Sequence, residues 1–393
     1  MRACQTTLLL TFLLIYWLAP LSLATADRDC YQVEAATLAA PGTIPGSNVG
    51  QGIDCHRLSV VGPLALPRVD ASIPEVFPIL QENDLREALG KSLHSLKPCI
   101  TLLIADYQAD AYADLAPAIL TAVAGIDQQC GLPNVLQNWH YLGSEQQIVL
   151  HLNYRYSDRQ LQQLQGRIDL LCRDTRGKDD YARIQAFHDY LVTHADYYDG
   201  DVKPLEVFTA YGALINGQGV CQGYSEAMHL LCHQAGIDSL LVTGQAIIGG
   251  QWQNHTWNMV KVGDAYYHLD TTWDDPLINR SGTPLYTYFF LDDKEMSRDH
   301  QWDRTAYPAC TKDTYNYYVA NKLLLADYNE FSKRVQQALQ QQVPDLVFKI
   351  SSFDIDDCAD LRQLILQNEQ VIQFSYQIDR LHGIITIYNI LYR

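Results

Sequence analysis

Two stretches hold residue types that could do chemistry together. The first is Gly219-Val220-Cys221-Gln222-Gly223-Tyr224-Ser225, a thiol set between small residues just ahead of a helical pattern. Leu230, Leu231 and Ile237 continue the apolar positions, and Gly236 stands where a glycine cap would stop the helix. A thiol in the first turn of a helix feels the positive end of the dipole, which favours thiolate. The flanking glycines let a substrate backbone come close. Such a nucleophile needs a base, and the base needs a group that orients it. The second stretch supplies both types. His255 to Val262 and Ala265 to Trp273 alternate around Gly263-Asp264, a strong hairpin signal. With a two-residue loop Val262 faces Ala265, Trp257 faces Asp270 and His255 faces Thr272. His255 and Asp270 are then diagonal neighbours on one face, ~7–8 Å apart at Cα and within reach of a side-chain hydrogen bond. A four-residue loop keeps this register and a three-residue loop breaks it. A carboxylate on one ring nitrogen fixes the tautomer, so that the other nitrogen can take the thiol proton.

A thiolate that attacks a carbonyl also needs an oxyanion hole. The Cys221 backbone N–H is one candidate donor, and Tyr211 and Gln218, both shortly upstream, are candidates for the second. Trp257 and Trp273 are candidates for walls of a substrate cleft, packing being the plainer role for either. His255, His268 and Asp270 suggest a metal only weakly. No HExxH or paired CxxC occurs, so no metal and no cofactor is expected. Asp274-Asp275-Pro276 reads as a turn.

The residues resemble a known family at three places in order. Gly219-Val220-Cys221-Gln222-Gly223-Tyr224-Ser225, His255-Thr256-Trp257-Asn258, and His268-Leu269-Asp270-Thr271-Thr272-Trp273-Asp274-Asp275-Pro276 are similar to motifs of the transglutaminase-like superfamily. The closest likeness is to its bacterial, exported, protease-like members, and it covers roughly residues 181–302. The resemblance implies an α+β fold with a papain-like core, in which a helix bearing the cysteine packs on an antiparallel sheet bearing His and Asp. It implies Cys221 as nucleophile, His255 as base and Asp270 as orienting group, acting on peptide or carboxamide bonds of a peptide or protein. Hydrolysis is favoured over cross-linking. The competing reading is a non-catalytic binding or scaffold module that keeps the fold.

Several elements must position these residues. Residues 181–194 form an amphipathic helix with Ile184, Phe187 and Leu191 on one face. On the N-terminal side, helix 84–96, strand 99–107, helix 110–124 and strand 147–156 are expected. Helix 331–342, strand 346–353, helix 356–367 and strands 370–376 and 384–392 are expected on the C-terminal side. Ile104, Tyr107 and Asp110 align with Ile350, Phe353 and Asp356, which suggests a duplicated α+β unit, although any two strand-Asp-helix junctions look alike. The expected division is a signal peptide (1–26), an irregular segment with an α+β unit (27–165), a catalytic domain (166–320) and a C-terminal α+β unit (321–393).

Met1 to Ala26 carries an early Arg2, the apolar run Leu8 to Leu18 and the small-x-small site Ala24-Thr25-Ala26, as in a secretory signal. A mature chain cut near Ala26 would be exported, to the periplasm or beyond, with no membrane span. The net charge of −17 argues against a nucleic-acid partner, which would need clustered Lys and Arg. Oligomeric state is not readable. Ten cysteines occur and Cys4 leaves with the signal. In an oxidising compartment the remaining nine allow four bridges and one thiol, with Cys30–Cys55 and Cys99–Cys130 as pairings by proximity and Cys221 as the thiol left over.

Overall fold

The computed structural model describes residues 66–393 except 108, 133–134, 145, 276–283 and 354–359. The signal segment, the Cys30–Cys55 pairing and the helix start at Asp356 lie outside the described residues.

The chain is a mixed α+β protein. It begins with β1 (Val76–Pro78), α1 (Glu82–His94), β2 (Cys99–Leu103), α2 (Ala111–Cys130), β3 (Leu136–Gly143) and β4 (Gln147–Tyr154). Gln81 and Asp84 form a capping box at the start of α1, and Leu85, Ala88, Leu89 and Leu93 bury one face. Strand β2 ends earlier than expected because Ile104 and Tyr107 close a turn, the Tyr107 N–H donating to the Ile104 carbonyl at 3.0 Å. Strand β3 was not expected: its mixed polar and aromatic residues have no alternating buried face, as suits the sheet edge it occupies. Helix α3 (Asp158–Asp174) follows, with Ser157 and Gln160 as its capping box.

Next come α4 (Asp180–His194) and the short β5 (Asp196–Tyr197). A 3-10 turn (Leu205–Phe208), a π turn (Gly212–Asn216) and β6 (Gln218–Gly219) lead to α5 (Cys221–Ala235). Gly236 ends α5 at φ +73°, the left-handed cap that its position predicted.

Five antiparallel strands follow: β7 (Ser239–Ile248), β8 (Gln251–Val262), β9 (Ala265–Leu269), β10 (Phe289–Leu291) and β11 (His300–Trp302), in spatial order β10-β9-β8-β7-β11. In the β8–β9 hairpin Val262 pairs with Ala265 and Asn258 with Leu269, the register of a two-residue Gly263-Asp264 loop. Helix α6 (Asp293–Met296) lies between β10 and β11, and α7 (Tyr317–Ala320) follows β11.

The chain closes with β12 (Leu324–Leu325), α8 (Tyr328–Gln340), β13 (Leu346–Ile350), α9 (Leu361–Leu366), β14 (Val371–Asp379) and β15 (Ile384–Tyr392). Its sheet order is β12-β13-β15-β14, with the first pair parallel and the rest antiparallel. The first sheet has the same plan, β1-β2-β4-β3 with β1 and β2 parallel. The two flanking units thus share one β-α-β-α-β-β topology.

The described residues divide into two compact units. One joins the chain up to Lys178 with Gly200–Asp238, and the other joins Asp179–Asp199 with Ser239–Arg393. The cysteine count led to a wrong expectation. Cys99, Cys172, Cys221, Cys232 and Cys310 all stand as thiols, so Cys99 forms no bridge to Cys130, and Cys221 is not a single thiol left over. A bridge needs Cα atoms within about 7 Å, and nearness in sequence does not supply that.

Candidate active site

Cys221 is the first residue of α5, and it is partly exposed while Gly223 to His233 behind it are buried. Its helix starts from an extended Val220 with no side chain capping it. Val220 donates to the Val207 carbonyl at 2.9 Å. Gly223 brings the helix against the same loop: a Cβ there would lie 2.6 Å from the Val207 oxygen and 3.1 Å from that of Thr209. Only glycine allows this approach.

One turn further on, Glu226 is 1% exposed and fully engaged. Its carboxylate meets Arg155 at 2.9 Å and accepts from Tyr156 Oη (3.0 Å), Gln222 Nε2 (3.0 Å) and the Ala210 N–H (3.3 Å). Arg155 also donates to the Phe208 carbonyl at 2.7 Å. A buried carboxylate is tolerable only with such a partner set. It ties the cysteine helix to the end of β4 and to the loop before β6.

The second unit holds the histidine and the aspartate. His255 on β8 donates from Nε2 to Asp270 Oδ2 at 2.6 Å, with side chains 3% and 0% exposed. Nε2 therefore carries the hydrogen, and Nδ1 is the nitrogen for proton exchange. Asp270 follows β9 directly. Its Oδ1 accepts the backbone N–H groups of Thr272 (3.0 Å) and Trp273 (3.2 Å), so the Asp-Thr-Thr-Trp sequence folds into a side-chain-capped turn. Burial alone would raise this carboxyl, but the charge and hydrogen bond of His255 and the hydrogen bond of His300 outweigh it and hold it well below the usual range.

The sheet makes room for these rings through two small residues. Gly244 pairs with both His255 and Trp302, and Ala246 pairs with His300. A Cβ on Gly244 would meet the Gln301 carbonyl at 2.3 Å and the Trp257 ring at 2.7 Å. With only a hydrogen and a methyl group from β7 at these two positions, large groups from β8 and β11 meet across it. The rings of His255 and His300 are 5.4 Å apart.

The other candidates divide. Trp273 is partly exposed, and its ring lies 5.6 Å from that of His255. Trp257 is 1% exposed: it stacks behind His255 at 6.0 Å and donates its indole N–H to His268 Nδ1 at 3.0 Å, so it backs the imidazole and faces no cleft. Tyr211 directs its hydroxyl to Gln163 Oε1 at 2.9 Å, and Gln218 is exposed on β6. His268 donates from Nε2 to Asp293 (2.9 Å), near Cys310, and burial lowers its proton affinity. The indole contact places the hydrogen on Nε2, so this ring presents no lone pair toward Asp293 and Cys310.

Sequence reading missed four groups around the site: His188, Asp274 as a buried residue, Asp299 and His300. His188 on α4 meets Asp274 Oδ2 at 3.1 Å and Asp189 at 3.1 Å, while the Tyr288 N–H donates to Asp274 Oδ1 at 2.9 Å. Burial pushes the Asp274 carboxyl up to about 6, against the pull of His188 and the Tyr288 N–H. The adjacent Asp299-His300 and the alternating Gly244-Gln245-Ala246 were the available signals.

Residues 171–271 match the transglutaminase-like superfamily, so the chain contains a transglutaminase-like superfamily domain, and the matched span carries Cys221, His255 and Asp270. Among solved structures, a putative cysteine protease from Cytophaga hutchinsonii is 13% identical, with 36% of this chain and 63% of that one covered and a TM-score of 0.25. A TGase crystal structure is 15% identical, with 50% and 59% covered and a TM-score of 0.27. The chain thus spans less than two thirds of the length of either. No curated protein matches it significantly.

Proposed function

We infer that this protein is a thiol-dependent acyl-transfer enzyme acting on peptide or carboxamide bonds, with Cys221 as nucleophile, His255 as base and Asp270 as the group that orients His255. The observation that carries this reading is the buried 2.6 Å contact between His255 Nε2 and Asp270 Oδ2. The superfamily match across both motifs supports joining it to Cys221. Asp270 fixes the tautomer, and His255 Nδ1 exchanges the proton. The Cys221 thiolate adds to the substrate carbonyl carbon, with the Cys221 N–H as one donor to the developing oxyanion. The C–N bond breaks as the imidazolium protonates the departing amine, leaving a thioester. Water, deprotonated by His255, then releases the acid. An amine in place of water would give a new amide, and hydrolysis is the favoured outcome. For the second oxyanion donor Gln218 and Tyr211 are the candidates, the Tyr211 hydroxyl donating to Gln163 Oε1.

The test is alkylation by iodoacetamide near neutral pH, followed residue by residue by mass spectrometry. The expected result is fast modification of Cys221 that slows at least tenfold in His255→Ala, a factor set by loss of the base. Slow modification of Cys221 that ignores His255 would overturn the reading and favour a non-catalytic scaffold. Peptide-library turnover with and without added amine then identifies the acyl acceptor.

A further inference from the structure

Asp270 Oδ2 serves two imidazoles. Besides His255, it lies 3.2 Å from Nε2 of His300, whose side chain is wholly buried. Nδ1 of His300 is 2.6 Å from Asp299 Oδ1. A carboxylate oxygen thus lies within hydrogen-bond distance of each ring nitrogen, a geometry in which both can donate. Asp299 in turn accepts the Tyr288 hydroxyl at 2.6 Å, and its Oδ2 lies 3.8 Å from Nε2 of His382, a buried nitrogen with no hydrogen-bond partner. His382 is held by Asp379 at 2.9 Å. The result is a row of alternating imidazoles and carboxylates, His255, Asp270, His300, Asp299, His382 and Asp379, buried except at Asp379, where it is partly exposed. It runs from β8 through the start of β11 to the turn between β14 and β15.

The row gives the C-terminal α+β unit a part in the site. Its tip is pinned where the row ends: Arg298 donates to the Leu381 carbonyl at 2.6 Å, and the His382 ring meets Tyr288 edge-on at 5.0 Å. Lys349 on β13, itself nearly buried, pairs with Glu295 of α6 at 2.6 Å. Around His300 the titratable groups are Asp270, Asp299, His255, His268 and Tyr288, with Asp274 beyond Asp270. The indole rings of Trp257 and Trp273 fill the remaining sides.

We propose that His300 is a positioning residue of the site: it locks the Asp270 carboxylate in the orientation that meets His255 and, as a neighbouring positive charge, opposes the charging of His255. Asp299, with His382 and Asp379 from the C-terminal unit, holds His300 in that state. This rests on the reading of His255 as the base.

The experiment is the pH profile, from pH 4 to 10, of the iodoacetamide rate at Cys221 in the full chain. The limb that disappears in His255→Ala reports His255. In His300→Gln, which keeps a donor but not the charge, that limb is expected to move up by roughly one pH unit, the size of a like-charge effect at this range. Asp299→Asn leaves the Tyr288 contact and removes the carboxylate that keeps His300 charged. It is expected to move the limb the same way, and it stands in if His300→Gln does not fold. A purely structural role would lower thermal stability and leave the limb in place. Fast, His255-dependent labelling with an unmoved limb in the folded variants overturns this inference alone. Slow labelling in the unaltered protein overturns the functional reading first.

Discussion

Asp274 is a carboxyl that burial holds above its ordinary range. It has no exposed surface, and its carboxyl is pushed from 3.8 to about 6, while Asp189 and Asp274 raise the affinity of His188 for its proton despite the burial that opposes this. The folded state therefore binds more protons than the unfolded state between these values. Stability contributed by the protonated pair is full below pH 4 and falls as pH rises through 6, with the His188 contribution lost in the same direction. Asp274→Asn keeps an acceptor for the Tyr288 N–H and cannot ionise. Relative to this variant, the unaltered protein is expected to lose roughly 2 kcal/mol of stability between pH 4 and pH 7. Urea denaturation of both proteins across that range measures it, and a difference that does not change with pH would contradict it.

At the scale of elements, the question is what seats the cysteine helix. Helix α5 has no side-chain cap and carries a buried acid in its second turn, two features that would weaken an isolated helix. Arg155, from the end of β4, compensates: its guanidinium meets Glu226 at 2.9 Å and the Phe208 carbonyl at 2.7 Å. Arg155→Leu leaves a carboxylate buried without its cation and is expected to destabilise the fold by about 3–5 kcal/mol. Arg155→Leu combined with Glu226→Gln removes the charge and should recover much of that loss. Thermal melting of the single and double variants decides, and simple additivity would mean the pair is not coupled.

For the molecule as a whole, the chemistry of the cysteines differs from what their number suggests. Titration of the unfolded protein with a thiol reagent is expected to return at least five thiols: Cys99, Cys172, Cys221, Cys232 and Cys310. In the native protein, iodoacetamide should reach Cys99 and Cys221, which are partly exposed, and spare Cys172, Cys232 and Cys310, which are buried. Burial also pushes the Cys310 thiol far up, with Asp293 adding to the effect, so it resists alkylation at any working pH. A single reactive thiol after unfolding would instead restore the four-bridge arrangement. No helix among the described residues is long and apolar enough to cross a membrane.

The local parts of this protein were legible in its residues. Helix α5 and its Gly236 stop, the alternation around Gly263-Asp264, and hence the register that places His255 diagonal to Asp270, all follow from periodicity and turn chemistry over a few residues. The element order of the two flanking units was largely legible for the same reason, although β3 escaped because an edge strand need not alternate. Only the tertiary structure decided what depends on distant residues meeting. Trp257 looks like a cleft wall until β7 and β11 bury it. His300 has its role because Gly244 and Ala246 let it reach Asp270, 30 positions away in the chain. Glu226 looks like a solvated helix residue until Arg155, 71 positions earlier, accounts for its burial. Charges and rings of this kind take their roles from the groups that fold against them, and no short window of sequence contains those groups.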